Sequence, residues 1–362
     1  ENNEKFDENE SSEDVEKVKF YIDKINVKDV VVLEKEVSEI IKKYEKNELG
    51  IEEISQIIEE LTNLYISSGY VSTRVTLAVP QNINSGTLNL EIINGKLEKI
   101  NYGDNSFRDK TALFTSFYGL EGEILNLKDI EKGLAIMNSV ASNNVIMNLV
   151  AGNELGYSIL EIKNEKKNRV RFGMGYDNLG SESTGKGRGK FNIGMDNPLG
   201  INDFLGLAYT RGFNGKSDEN YSDSLLLNYR VPFKEWTFMT TQELSDYKIL
   251  IEGAKLSYDS EGKTFNQSYT LNKQIDYLKD MDENISVSLG LKNVNNYIQD
   301  VKLKNSSYKS AEASISYSAN KGIENGSLDG SVKYSQSIDV GGYSEVDKNF
   351  KAINLDFSLG KL

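Results

Sequence analysis

Apolar residues recur along this chain with two different periods, and the change of period divides it. Up to about residue 165, helical spacing alternates with short strands; from residue 166 onward nearly every second position is apolar. "VKFYIDKINV" (18–27) alternates as a strand. "LEKEVSEIIKKYEKN" then sets Leu33, Val37, Ile40, Ile41 and Tyr44 on one helical face. "IEEISQIIEELTNLYISSGY" repeats that stripe with Ile51, Ile54, Ile58, Leu61 and Tyr65, closed by Gly69 as a left-handed C-cap. Val71 to Val79 and Leu88 to Ile93 predict two strands joined by the turn "PQNINSG".

The same order of strand, helix, helix, strand, strand then recurs in shorter form. "LEKINY" (97–102) is the strand, and "TALFTSFYG" predicts a helix with Leu113, Phe114, Phe117 and Tyr118 as its apolar stripe. In "NLKDIEKGLAIMNSV", Asn126 is an N-cap candidate ahead of Leu127, Ile130, Leu134 and Met137. "NVIMNLVAGNELGYSILEIK" predicts the closing hairpin. Two small α+β domains follow, expected over 17–95 and 96–165, behind an acidic, disordered lead-in over 1–16 that carries eight acids and one lysine.

In residues 166–362, "RVRFGMGYDNLG" sets Val170, Phe172, Met174 and Tyr176 against Arg169, Arg171, Gly173 and Gly175. Ile285, Val287, Leu289 and Leu291 alternate with Ser286, Ser288, Gly290 and Lys292 in the same way. About ten such strands are expected. One apolar face suits a soluble sandwich or a transmembrane barrel. Three features favour the barrel: connections that alternate between short and long, a Ser/Asn/Lys/Glu/Gly polar face, and Tyr, Phe and the lone Trp236 near strand ends.

Composition narrows the chemistry. With 55 acidic against 42 basic residues the formal charge is −13, a poor match to nucleic acid. Neither cysteine nor histidine occurs, which removes thiolate zinc sites and Ser–His–Asp triads. "GSESTGKG" (180–187) nearly spells a P-loop, but Gly187 replaces the magnesium-binding Ser/Thr and a strand pattern follows. "KDMDEN" (279–284) lacks the ligand spacing of a calcium loop. No enzyme chemistry, metal or cofactor is expected.

The ordered set Asp177-Asn178-x-Gly180, Thr184-Gly185, Asn197-Pro198-Leu199-Gly200, Asp203, "YRVPF", Trp236 and Tyr247 resembles the opening of the barrel in two-partner secretion transporters. These are the outer-membrane exporters of haemolysins and filamentous haemagglutinins in Gram-negative bacteria. The doubled unit resembles two POTRA (polypeptide-transport-associated) domains, and the likeness covers roughly residues 18 to 362. It implies two β-α-α-β-β POTRA domains in the periplasm ahead of an antiparallel transmembrane β-barrel. The family's barrel has sixteen strands, so about ten of them, over 166–362, would be present. The family's later Val-Arg-Gly-Tyr loop has no counterpart, Thr210-Arg211-Gly212-Phe213 lying too early, so a chain incomplete at its carboxyl end is expected.

The function so implied is export of an unfolded partner, a large adhesin or haemolysin, recognised by its amino-terminal secretion domain. Transport would be driven by folding of the cargo outside the cell, since no ATP is available in the periplasm. By family topology the second strand of each POTRA sheet is its exposed edge. The expected binding residues are therefore Thr73, Arg74, Val75, Thr76 and Leu77, and Asn144, Val145, Ile146, Met147 and Asn148. Val170, Phe172, Met174 and Tyr176 would face lipid, and Arg169 and Arg171 the water-filled pore. Two alternatives stay open on sequence: an outer-membrane assembly or insertion factor, and a soluble periplasmic β-rich binding or adhesion protein.

Overall fold

Helical stripes and β-alternation both emerge in the computed structural model, which describes residues 18–213, 220–253, 255–275, 281–343 and 350–361. The acidic lead-in lies outside the described residues, as do parts of the long connections 213–220, 276–281 and 343–350. The first repeat contains β1 (Phe20–Ile22), β2 (Lys24–Lys28), α1 (Glu34–Lys42), β3 (Asn47–Leu49), α2 (Ile51–Ser67), β4 (Arg74–Leu77) and β5 (Thr87–Ile93). The stretch expected as one first strand is split at Asp23. Its front half pairs with β3, and its back half joins a sheet of order β2–β5–β4.

α1 and α2 bury Val37, Ile40, Ile41, Ile54, Ile57, Leu61 and Tyr65 against Leu88, Leu90 and Ile92 of β5. Ile51 was expected in that stripe but is exposed at the helix start, and Ile57 is buried instead. Glu53 caps this start, accepting from the Gly50 N–H at 2.9 Å and the Lys19 ammonium at 2.5 Å. Those donors hold its carboxyl down at about 2. Burial pushes the Tyr65 phenol up to about 12, and its hydroxyl donates to the Val32 carbonyl at 3.1 Å.

The second repeat contains β6 (Lys96–Tyr102), α3 (Phe107–Phe117), α4 (Leu127–Met137), β7 (Val145–Ala151) and β8 (Tyr157–Asn164), with sheet order β6–β8–β7. Asn126 does cap α4, its Oδ1 accepting from the Lys128 N–H at 2.9 Å. α3 begins four residues before the expected segment, because Ser106 and Asp109 form a capping box there. The covered face also differs from the expected stripe. Ala112, Thr115, Ser116 and Phe117 are buried, whereas Phe114 and Tyr118 are exposed. Phe117 packs so closely on α4 that a Cβ on Gly133 would lie 2.2 Å from its ring.

The rest is one antiparallel meander. Its strands are β9 (Val170–Asp177), β10 (Gly187–Asp196), β11 (Phe204–Phe213), β12 (Tyr221–Phe233), β13 (Trp236–Glu252), β14 (Ser257–Ile275), β15 (Asp282–Ile298), β16 (Val301–Lys302), β17 (Tyr308–Ile323), β18 (Gly326–Ile338) and β19 (Lys351–Lys361). The small β16 pairs only with β15; the others form a ten-strand path from β9 to β19. The P-loop lookalike is the β9–β10 connection and opens a strand, not a helix.

The described residues form two compact units. One comprises those up to Ile100 with Gly119–Lys128 and Leu149–Leu160; the other comprises Asn101–Tyr118, Asp129–Asn148 and the described residues from Glu161 onward. α3, most of α4 and the meander thus belong to the same unit. No helix among the described residues is long and apolar enough to cross a membrane, a test that does not address β-strands.

Candidate functional site: two sheet edges and a two-faced β-sheet

Residues opposite one another in an antiparallel sheet share a face, so the meander can be read row by row. One row runs Phe172, Ile193, Leu207, Leu227, Gln242, Gln267, Leu291, Ala311, Ile338 across nine strands. The adjacent row, on the other face, runs Arg171, Gly194, Gly206, Asn228, Thr241, Ser268, Gly290, Glu312, Ser337. One row is apolar except for two neighbouring glutamines, and the other holds no large apolar residue. A cleft on the polar side is lined by Asn266, Ser268, Ser288, Lys292, Glu312 and Lys333. Among the described residues no second sheet covers the apolar face as in a sandwich. Ala311 is the only buried hydrophobic residue among the described residues of the meander, and Val287 and Ile315 are more than half exposed.

The POTRA-like sheets end in edge strands. Among the described residues β4 pairs only with β5, and β7 only with β8. Ala78 donates to the Asn89 carbonyl at 3.0 Å, so the hydrogen-bonded pairs of this ladder include Thr76 with Glu91 and Arg74 with Ile93. The N–H and C=O groups of Val75 and Leu77 therefore point outward. Thr73 does not belong with them. It is buried, and its Oγ1 accepts from the Gly95 N–H at 3.2 Å, tying the strand to the loop behind it.

On β7, the bonds Gly152 N–H to Tyr157 O (2.8 Å), Glu165 N–H to Asn144 O (3.2 Å) and Lys167 N–H to Ser142 O (2.7 Å) fix one register. In it Asn144, Ile146 and Asn148 turn their backbone groups toward β8, and Val145, Met147, Leu149 and Ala151 turn theirs outward. Val145 is nevertheless closed. The Asn138 side chain accepts from its N–H at 2.7 Å and donates to its C=O at 3.0 Å, in the manner of a paired strand residue. The open edge thus starts at Met147 and runs on through Leu149 and Ala151. Sequence reasoning missed those last two, and alternation counted from a paired residue would have found them.

Arg169 and Arg171 are placed by the joint between α3–α4 and the β10–β11 turn of the meander. Arg171 lies on the polar face and forks both carboxylate oxygens of Asp196 at 2.6 and 2.7 Å. Fully buried, Asp196 also accepts from the Ser142 N–H at 2.7 Å. Arg169 bonds to the Asp196 carbonyl at 3.1 Å and to that of Asn197. Both guanidinium groups are therefore engaged at the sheet's base, and Arg171 carries no uncompensated charge.

The turn that receives them, 197–203, holds Asn197, Gly200 and Asn202 at positive φ, a conformation open to Asn and Gly. Asn202 Nδ2 reaches the Ala112 carbonyl (2.9 Å), Thr115 Oγ1 (2.9 Å) and Ser116 Oγ (3.0 Å). Arg230 donates to the Ser139 carbonyl at 2.6 Å, and the Lys234 N–H to that of Thr115 at 2.9 Å. Asp109 opens α3 nearby. Burial pushes its carboxyl up, but the Ser106 hydroxyl, the Lys166 charge and the N–H groups of Asp104 and Ser106 outweigh that and hold it below its ordinary value.

Tandem POTRA-like domains ahead of a meander that is polar on one face and apolar on the other define a class, the periplasmic-domain-plus-barrel proteins of outer membranes. Comparison with known proteins narrows it. Residues 20–95 match the ShlB-type POTRA domain, residues 96–151 a POTRA domain, and residues 156–361 the family described as haemolysin secretion/activation protein ShlB/FhaC/HecB. The chain belongs to that family.

Among curated relatives, it is 27% identical over 312 residues to the outer membrane transporter CdiB of Dickeya dadantii, covering 85% of this chain and 55% of the relative. It is also 27% identical over 314 residues to the hemolysin transporter protein ShlB of Serratia marcescens, covering 86% and 54%. The chain thus spans about half the length of these relatives. Among solved structures, CdiB from Escherichia coli superposes with a TM-score of 0.87 at 22% identity, over 97% of this chain and 67% of that one. CdiB from Acinetobacter baumannii gives 0.75 at 20%, over 94% and 65%. At that identity these two likenesses bear on fold alone.

Proposed function

We propose that this protein sits in the outer membrane with its POTRA domains in the periplasm, captures an unfolded secreted partner on their open sheet edges, and passes it outward along the polar face of the barrel. The observation that carries the reading is the pairing of two free edges, Val75/Leu77 and Met147/Leu149/Ala151, with a meander in which an unbroken polar row runs from β9 to β18. An extended segment adds to such an edge through main-chain hydrogen bonds, while neighbouring side chains read its sequence. Arg74, Thr76, Ile146 and Asn148 belong to the reading as flanking side chains. Lipid contacts the apolar face. The proposed activity is transport, with no chemical step and no cofactor, and the partner is an exoprotein bearing an amino-terminal secretion domain.

Proline tests the edge cleanly, because it removes an N–H that the fold itself does not use at these positions. Leu77→Pro and Leu149→Pro together are expected to lower secretion of the partner roughly tenfold or more, the loss of two main-chain bonds at about 1 kcal/mol each. Outer-membrane level and heat-modifiable migration should stay unchanged. Undiminished secretion by the double variant contradicts capture at the edges.

A further inference from the structure

α3 carries more aromatic surface than its own core uses. Phe107, Phe114 and Tyr118 are spaced by seven and four residues, hence on one side of the helix, and are 78%, 53% and 53% exposed. The helix cannot roll to hide them. Its opposite side, at Ala112 and Ser116, is tied to the sheet through Asn202, and its flank through the Lys234 N–H to the Thr115 carbonyl. Thr111, which shares the ring-bearing side, adds a bond from its Oγ1 to the Gly200 carbonyl at 2.7 Å. Three solvent-facing rings in one stripe are costly in water and mark a contact surface.

The stripe continues into the barrel's apolar face. Phe114 lies 5.7 Å, and Tyr118 6.2 Å, from Phe233 between ring centroids. Phe233 faces Trp236 across the two-residue turn that joins β12 to β13. Both lie on the face that carries Leu227, Phe238 and Leu271. Cations accompany the rings: Lys234 Nζ stands 5.4 Å over Tyr118 and Lys273 Nζ 5.1 Å over Trp236. Aromatic rings beside lysines are the side chains favoured where acyl chains meet phosphate groups.

The opposite end of the sheet, on β9, β11 and β12, repeats the pattern. Tyr176 and Phe213 stack at 5.8 Å, and Arg211 lies 5.6 Å over Tyr221. From Tyr221 to Phe233 the thirteen residues of β12 span roughly 40 Å along the strand, or about 30 Å across a membrane at the usual barrel tilt. That is the thickness of a hydrocarbon core.

We propose that the Phe107–Phe114–Tyr118 stripe of α3, with Phe233 and Lys234, is a membrane foot resting in the phospholipid headgroup layer of the outer membrane's periplasmic leaflet. It extends the barrel's lipid contact onto the second POTRA domain and keeps that domain's helix against the bilayer. The inference rests on the reading that the apolar face meets lipid, and its test separates the two.

Single cysteines at positions 114, 118 and 287, in a cysteine-free background (residues 1–362 contain none), are labelled with bimane in the protein reconstituted into phosphatidylglycerol/phosphatidylcholine vesicles. Headgroup-nitroxide lipid is expected to quench bimane at 114 and 118 by about twofold or more, whereas acyl-chain nitroxide lipid quenches at 287. If 287 responds and 114 and 118 are quenched only by aqueous iodide, the foot is wrong while the barrel reading stands. If neither quencher reaches 114 and 118, a protein surface covers them and the foot is again wrong. If 287 is also blind to lipid, the barrel reading itself fails.

Discussion

The two halves of this molecule differ in how much apolar surface they bury. All but one of its buried hydrophobic residues lie between Ile22 and Ile162, Ala311 being the exception among the described residues. The meander buries Asp196, Asn202, Asp203, Glu283 and Ser335. In the POTRA domains apolar burial drives folding, each buried methylene being worth about 0.8 kcal/mol, and buried polar groups such as Thr73 and Asp109 are hydrogen-bonded. In the meander Asp196 and Ser335 lie on the polar face, and the opposite face leaves Phe172, Val287 and Ile315 more than half exposed. The same alternating grammar therefore serves two solvents, and its meaning depends on what lies beyond the apolar face.

Substitutions that treat the halves alike should break this comparison, and those that separate them should sharpen it. The largest expected effect is in the α2 core. Leu61, fully buried, should lose about 2–5 kcal/mol as Leu61→Ala, by urea denaturation. Val287→Ala, on the outward face, should cost about 1 kcal/mol or less. Val287→Arg reverses the ranking, with about 2–4 kcal/mol lost in lipid, while Ser288→Arg on the polar face is close to neutral.

A smaller effect belongs to the joint. Asp196→Ala strands the half-exposed Arg171 guanidinium and the Ser142 N–H, for roughly 2–3 kcal/mol. Limited proteolysis should then cut sooner near Ser139–Ser142. The smallest effect is electrostatic. The Asp109 carboxyl is held below its ordinary value, so its stabilisation is complete above about pH 5 and is lost as pH falls through its folded-state pKa. The urea-midpoint difference between wild type and Asp109→Asn should therefore be present at about pH 7 and shrink by about pH 3.

Much of this was legible in the residues. Period carried the helices α1, α2 and α4 and nearly all the strands, because each apolar stripe faces a single environment. Where an element serves two neighbours, period misleads. Phe114 and Tyr118 look like core at helical spacing, yet beside Phe117 the covered side of α3 is Ala112, Thr115 and Ser116, polar or small because it meets the Asn202 side chain of a turn. Contacts between distant residues were out of reach as well. The Arg171–Asp196 fork and the Asn138 clasp on Val145 depend on register, which no local pattern reports. The edge residues were found as segments, but which of them keep an open N–H follows only from the ladder's phase.

The central claim is that β9–β19 turn their apolar face to lipid and their polar face to water. Nitroxides placed singly at positions 285 to 290 of β15 test it directly, through collision rates with oxygen and with a nickel chelate in lipid vesicles. Oxygen should dominate at Ile285, Val287 and Leu289, and the nickel chelate at Ser286, Ser288 and Gly290, in strict alternation. Nickel access at the apolar positions, or shielding from both reagents along the whole strand, would contradict the account.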